Sequence, residues 1–345
     1  MIGWYVHHHG WGHATRMLAM RPHIADDVTV FSSMPRPGAL DERTTWIQLP
    51  PDADAVVDAD GVRREASERG DVTARGALHW APIGHPGHQR RLAIIADWIS
   101  RTPVAAFVVD VSVEVTAFVR LLGVPTVVFA QPGERTDAPH RLGYDLADRI
   151  IAPWAQGTIT TPELDERAER VRWVGAISRF DGRGGDGIAD AGSDAVPDAG
   201  AKSVLFLSRT LGPTDLARTI DLLTAEGWSV ETAGARDDDR VDDVWPLLRR
   251  ATVVVSAAGQ NGVADLAAAN ARAVVLAQER PFGEQEHTGR VLRAGGYAQT
   301  GGADASPEEV VELVRRAAES RPAWHTWNTA GAAARAAAAI EGVRA

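Results

Sequence analysis

The decapeptide His7-His8-His9-Gly10-Trp11-Gly12-His13-Ala14-Thr15-Arg16 follows directly on the apolar run Ile2 to Val6. The run reads as a strand and the decapeptide as the loop at its carboxyl end. In an open parallel sheet, ligands collect at that end of the strands. Gly10 and Gly12 keep the backbone open to an acceptor molecule, and His13 enters the first turn of a helix. An imidazole there could take a proton from an attacking hydroxyl. The same residues would also serve a tight turn with a packed or capping histidine. The run of three histidines invites a metal, but His7, His8 and His9 alternate faces if they continue the strand. No helical histidine spacing accompanies them, so the expectation is no metal site and no cofactor.

Two further clusters have similar placement. The apolar run Val104 to Val109 ends on Asp110, whose carboxylate could hold one imidazole nitrogen and fix its tautomer; a helix N-cap is the other reading. Glu114, one turn on, and the loop carrying His79, Trp80 and His85 are candidates for acceptor contact, the loop also for a membrane-facing patch. In the second half, Thr252 to Ser256 runs into Gly259, Gln260, Asn261 and Gly262, a polar loop at a helix N-terminus that suits a diphosphate. Asp265, one turn later, could take the two hydroxyls of a ribose. Glu284 and Gln285, beyond Arg280, pair an acid with an amide, which suits vicinal sugar hydroxyls. Trp245 and Pro246 could sit beside a nucleotide base or pack.

The elements that must position these residues alternate in βα fashion. Strands are expected at Ile2 to Val6, Val28 to Ser32, Trp46 to Leu49, Val104 to Val109, Thr126 to Ala130 and Ile150 to Ala152, with Trp173 to Gly175 closing the first half. The pattern restarts with strands Ser203 to Leu207, Ser229 to Ala233, Thr252 to Ser256 and Ala273 to Ala277. The helices between them are Thr214 to Glu226, Val241 to Arg249 and Gly262 to Ala269, and Pro307 to Glu319 and Ala323 to Ile340 follow. Between the halves, 181–200 is rich in Gly, Asp and Ala and reads as a flexible linker, or as a long loop within one domain. The expected division is therefore 1–180, linker 181–200, 201–322, and a C-terminal helix in 323–345 that can pack back on the first domain.

With 345 residues, 45% of them apolar, the chain can build two cores. Its 36 basic and 46 acidic residues leave a net charge of −10, which disfavours nucleic acid as a partner. The absence of cysteine removes disulfides, thiolate nucleophiles and zinc-thiolate sites. No leader precedes Ile2 and no apolar stretch approaches bilayer length, so the expectation is a cytoplasmic protein, with peripheral contact at the inner membrane face left open. The Ala-, Arg-, Asp- and Gly-rich composition suggests a bacterial source.

The segment Val253 to Gly295 resembles the donor-binding region of the family 28 and family 1 nucleotide-sugar glycosyltransferases, with Gly259, Asp265 and Gln285 on three spaced motif positions. His13 falls on the family's N-terminal Gly-x-Gly-His position and Asp110 on the strand-end aspartate that partners the base. The resemblance implies the GT-B fold, two Rossmann-like α/β domains facing across a cleft. It implies a hexosyltransferase that moves a sugar from a nucleotide diphosphate sugar, UDP being the commonest carrier, to an acceptor hydroxyl with inversion and without metal. The acceptor is a small or lipid-linked molecule. Asp265 would bind ribose, and Glu284 with Gln285 the sugar. The chain departs from the pattern at two places. Ser208, Arg209 and Thr210, followed by Leu211 and Gly212, replace a glycine-rich phosphate loop, and Ala257 and Ala258 stand where the family has a histidine or arginine-serine. These departures keep open a non-catalytic nucleotide-sugar-binding protein, and the shared architecture a nucleotide-sugar 2-epimerase.

Overall fold

A computed structural model describes residues 1–8, 10–38, 40–58, 60–183, 202–236, 239 and 241–343. Most of the expected linker, 184–200, lies outside the described residues. The first half contains strands Ile2–Val6 (β1), Val28–Ser32 (β2) and Thr44–Gln48 (β3), the short antiparallel pair Val56–Val57 (β4) and Arg63–Arg64 (β5), then Ala106–Asp110 (β6), Thr126–Phe129 (β7), Arg149–Ala152 (β8) and Val171–Trp173 (β9). Its helices are Gly12–Met20 (α1), Pro86–Arg101 (α2), Val113–Leu121 (α3), Ala138–Leu146 (α4) and Pro162–Asp165 (α5). The main strands form one parallel sheet in the order β3-β2-β1-β6-β7-β8-β9. Strands β1 and β6 are buried along their whole length, which is why they read as unbroken apolar runs rather than alternating ones.

The second half repeats the plan with Ser203–Leu207 (β10), Ser229–Ala233 (β11), Val253–Ala257 (β12), Ala273–Ala277 (β13) and Gln299–Gly302 (β14), in the parallel order β11-β10-β12-β13-β14. Helices Pro213–Ala225 (α6), Trp245–Arg250 (α7), Gln260–Ala268 (α8), Glu284–Ala294 (α9) and Pro307–Glu319 (α10) connect and cover it. The two Rossmann-like domains face each other across a cleft bordered by the carboxyl ends of both sheets. Helix α7 starts four residues later than the sequence suggests, because Pro246 occupies its first turn. Strand β3 starts two residues earlier, in register with β2 from Val28 paired to Thr44.

The end of the chain corrects one expectation. Residues 323–340 do not form one helix. Trp324–Trp327 is a 3₁₀ turn buried in the second core, with the Trp324 indole N–H donating to the Ala271 carbonyl at 2.7 Å. Asn328 (φ 53°) and Gly331 (φ 71°) then adopt left-handed conformations that no helix can run through. Only Ala332–Glu341 (α11) is α-helical, and it packs on the first domain against Trp4, Met17 and Met20. Asp181 fastens its start, accepting from the Gly331 and Ala333 backbone N–H groups at 2.9 and 3.4 Å. Gly175 is required at this crossing, since a Cβ there would lie 1.8 Å from the Asn328 carbonyl oxygen.

The alanines of α11 are small because backbone and sheet approach closely; Ala333, Ala336 and Ala337 are fully buried. Replacing Ala336 with Asp places an unpaired charge in the first core. It should cost about 3 kcal/mol or more of stability, seen as a lowered thermal midpoint by circular dichroism.

Candidate active site

In the first sheet the chain leaves β1 toward β2 and β3, then crosses back to lay β6 on the other side of β1. The crevice at such a reversal is where the loops diverge and a ligand fits. β1 delivers the decapeptide there and β6 delivers Asp110, paired in register with Val6. His13 sits in the first turn of α1, with Nδ1 3.1 Å from Asp110 Oδ1. The pair has a third member that sequence reading passed over. Arg16, one turn along α1, donates from Nη2 to Asp110 Oδ1 at 2.5 Å and from Nε to Oδ2 at 3.2 Å. Asp110 is wholly buried. Burial alone would raise its carboxyl, but the Arg16 guanidinium and then His13 outweigh that and hold it well below the usual carboxylate range. Arg16 Nη2 also lies 3.3 Å from His13 Nδ1, but it is already bound to Asp110 Oδ1 at 2.5 Å, and the carboxylate is the nearer neighbour of Nδ1. An ionised carboxylate only accepts, so this pairing favours the proton on Nδ1 and, in the neutral ring, a bare Nε2.

Val111, the next residue, has φ 70°. Ser208, just past β10, has φ 67°, and Phe282, past β13, has φ 63°. Left-handed backbone at a non-glycine costs about 1–3 kcal/mol and persists where the surroundings impose it. All three lie beyond the carboxyl ends of central strands.

The second domain meets this cluster through α8. Gln260 Oε1 accepts from Arg16 Nη1 at 3.0 Å, and Asn261 Nδ2 donates to the Gly12 carbonyl at 2.6 Å. The N-terminal ends of α1 and α8 therefore face each other across the cleft, with Gly10 and Gly12 exposed on one side and Gly259 as the N-cap on the other. Gln285 is buried, and its Oε1 accepts from the Ala258 and Gln278 backbone N–H groups at 3.2 and 2.9 Å, fastening the loops after β12 and β13 together. Thr210 is buried and its carbonyl accepts from Gln278 Nε2 at 3.2 Å, while Arg209 beside it is exposed. Asp265 does not face open space. It is buried, accepting from Ser178 Oγ at 2.7 Å and Arg179 Nε at 3.0 Å, and burial pushes its carboxyl up. Trp245 packs against Phe180 with ring centroids 5.0 Å apart.

Beside His13 opens a cavity of about 550 Å³. Histidines 7, 8, 13, 79, 88 and 140 line it, with Tyr5, Trp80, Leu92 and Val115 as apolar wall. The second domain closes one side with Arg280, Pro281, Phe282 and Glu284. Glu284 bridges to Arg135 at 3.1 Å, and burial pushes its carboxyl up despite that partner. Glu114 serves the wall rather than the interior, since its Oε1 accepts from the His79 and Trp80 backbone N–H groups at 2.7 and 3.0 Å. Trp80 is further tied by its indole N–H to the Asp52 carbonyl at 3.1 Å. His85 departs from the expectation: it is buried and caps α2, accepting from the His88 N–H. Arg16, Arg135, Asp52, His88 and His140 are site residues that sequence reading did not single out. Arg16 alone carried a signal, its place one helical turn beyond His13. Among the described residues, one group could share a metal ion, His79, Asp137 and His140, whose ligand atoms lie within 4.8 Å of one another.

No family model matches the chain, and no curated protein matches it by sequence. Solved structures match its shape. A glycotransferase of kitacinnamycin is 14% identical with a TM-score of 0.65 over 100% of this chain and 98% of that one. MurG of Acinetobacter baumannii is 13% identical with a TM-score of 0.61, covering 99% of each chain. A calicheamicin glycosyltransferase is 15% identical with a TM-score of 0.63, over 99% of this chain and 97% of that one. The likeness spans both domains and establishes the GT-B fold. Among the described residues no helix is long and apolar enough to cross a membrane.

Replacing Asp110 with Asn strands a buried guanidinium, which should cost about 3–5 kcal/mol. The depressed carboxyl stabilises the fold fully above its unfolded value of 3.8 and loses that contribution as pH falls further toward its folded value. The difference in urea stability between wild type and Asp110→Asn should therefore narrow as the pH is lowered below about 4.

Proposed function

We propose that the chain is a glycosyltransferase. It moves a sugar from a nucleotide diphosphate to an acceptor hydroxyl bound in the first-domain cavity, with inversion at the anomeric carbon. The observation that carries this reading is the meeting, within one cleft, of a histidine held at Nδ1 by a buried carboxylate and the N-terminus of a second-domain helix, linked through Arg16 and Gln260. His13 Nε2 takes the acceptor proton as the hydroxyl oxygen attacks, and the bond from the anomeric carbon to the diphosphate breaks. Asp110 stabilises the imidazolium that forms. The leaving diphosphate lies at the N-termini of α8 and α6 beside Arg209, so its charge is met by oriented N–H groups and a guanidinium and the reaction needs no metal.

Glu284 and the amide nitrogen of Gln285 read the sugar hydroxyls, and Asp265 takes the ribose once Arg179 gives way. The whole-chain likeness supports this reading, as do two structures with bound nucleotides. A spinosyn rhamnosyltransferase complexed with thymidine diphosphate has a TM-score of 0.55 at 15% identity. A plant enzyme complexed with UDP-L-rhamnose has one of 0.62 at 13%. Placement with families 28 and 1, and a uridine carrier, belong to the same proposal, as does a cytoplasmic site of action.

A thermal-shift screen of UDP-, dTDP- and GDP-sugars should show one carrier raising the melting temperature, since ligand bound to the native state stabilises it. With that donor and a panel of hydroxylated acceptors, His13→Ala should lose at least ~100-fold in turnover while donor binding is kept. Unchanged turnover would remove His13 from the mechanism, and epimerised donor formed without acceptor would replace transfer by isomerisation.

A further inference from the structure

The proposed mechanism uses one of the six cavity histidines. His79, also in the cavity wall, belongs to a second chain of polar groups that runs back into the protein. The chain begins at Arg135, which is buried and can only donate. Arg135 Nη1 lies 3.2 Å from His140 Nε2, so that nitrogen must be the acceptor and His140 carries its proton on Nδ1. His140 Nδ1 therefore donates to Asp137 Oδ1. The neighbouring oxygen, Asp137 Oδ2, lies 2.8 Å from His79 Nε2. Asp137 is ionised and can only accept, so His79 carries a proton on Nε2, and in the neutral ring Nδ1 is a bare lone pair. For neutral imidazoles each assignment forces the next, starting from a guanidinium that offers no choice.

The same reasoning separates this cluster from a metal centre. A metal ligated by His140 Nδ1 would need the proton on Nε2, pointing at the Arg135 donor. The surroundings hold His79 in place: its backbone N–H is tied to Glu114, and its ring packs 4.5 Å from His140 and 5.4 Å from Phe282, centroid to centroid. Asp137 is fixed as the N-cap of α4, its Oδ1 accepting also from the His140 backbone N–H at 3.2 Å.

We infer that His79 is a specificity-determining residue that accepts a hydrogen bond from a second hydroxyl or N–H of the acceptor, distinct from the hydroxyl that His13 activates. The inference rests on the proposal that the cavity holds the acceptor. It narrows the substrate class to compact molecules with two donor groups. An analogue carrying an ether or a carbonyl at the second position would set lone pair against lone pair and leave a polar contact unmade.

The test exploits the cap. In Asp137→Asn the amide oxygen stays with the His140 backbone N–H and Nδ1–H, which both donate, and the amide N–H₂ turns toward His79. His79 Nε2 then becomes an acceptor and the proton moves to Nδ1, with the helix cap retained. ¹⁵N NMR of imidazole-labelled protein should place the His79 proton on Nε2 in the wild type and on Nδ1 in the variant. A proton on Nδ1 in the wild type would overturn the inference without touching the acceptor proposal. Titration calorimetry with 2,7-dihydroxynaphthalene and its monomethyl ether is the second arm. The wild type should prefer the diol by roughly fivefold to tenfold, and Asp137→Asn should lose or reverse that preference. An equal preference in both proteins would overturn the role of His79 while leaving the cavity as the acceptor site. If neither naphthalene binds, the acceptor proposal falls and this inference with it.

Discussion

The guanidinium of Arg16 is the interaction on which the site depends. It lies 3% exposed, with its carbon 4.8 Å above the Phe129 ring, and its donors are shared among Asp110 and Gln260. A charge buried this deeply is tolerable only when paired, so Asp110 must stay ionised for the cleft to exist in this form. That requirement in turn fixes what His13 can do, because an ionised Asp110 presents only lone pairs to Nδ1. The link to Gln260 carries the same constraint into the second domain. One buried cation thus sets the charge of a strand end, the tautomer of a histidine and the approach of the opposing helix.

Other polar contacts join the domains. Arg135 binds Glu284, Ser178 and Arg179 bind Asp265, and the Phe282 carbonyl accepts from the Glu134 N–H at 2.8 Å. Gly133 permits the last of these, since a Cβ there would lie 2.4 Å from that carbonyl oxygen. Apolar packing crosses as well, since Ala176 and Phe180 lie in the second core and Trp245 packs on Phe180. A further apolar connection runs through α11, which is continuous with the second domain yet part of the first core.

The strands were legible because parallel sheets covered on both faces leave unbroken Val- and Ile-rich runs, as at Val253–Ala257. The loops after β1, β6 and β12 were legible because glycine, histidine and aspartate at strand ends are local signals. Arg16 was not, because its meaning depends on Asp110, 94 residues away, and an arginine on a helix is otherwise a solvated side chain. The engagement of Asp265 by Ser178 and Arg179, and of Gln260 by Arg16, depends on how two domains meet, which no spacing encodes. The break at Asn328 was hidden by the alanine-rich stretch that follows it, Ala332 to Ala339, whose helix propensity describes that flank and not the turn. His79 and Trp80 stood out as polar and aromatic in a loop, but Asp137 and His140 join them only through the β7–α4 connection.

Charge is distributed unevenly across this cleft. Around the first-domain cavity every buried guanidinium has a carboxylate: Arg16 with Asp110, Arg91 with Asp52, and Arg135 with Glu284. Burial forces this pairing, and it leaves the cavity wall close to neutral although the chain as a whole is acidic. On the second-domain side the balance differs. The N-termini of α6 and α8 each present about half a positive charge, and the exposed Arg280 follows the end of β13. An anion is therefore favoured against the second domain, and an uncharged molecule against the first. His13 stands at the boundary between the two fields.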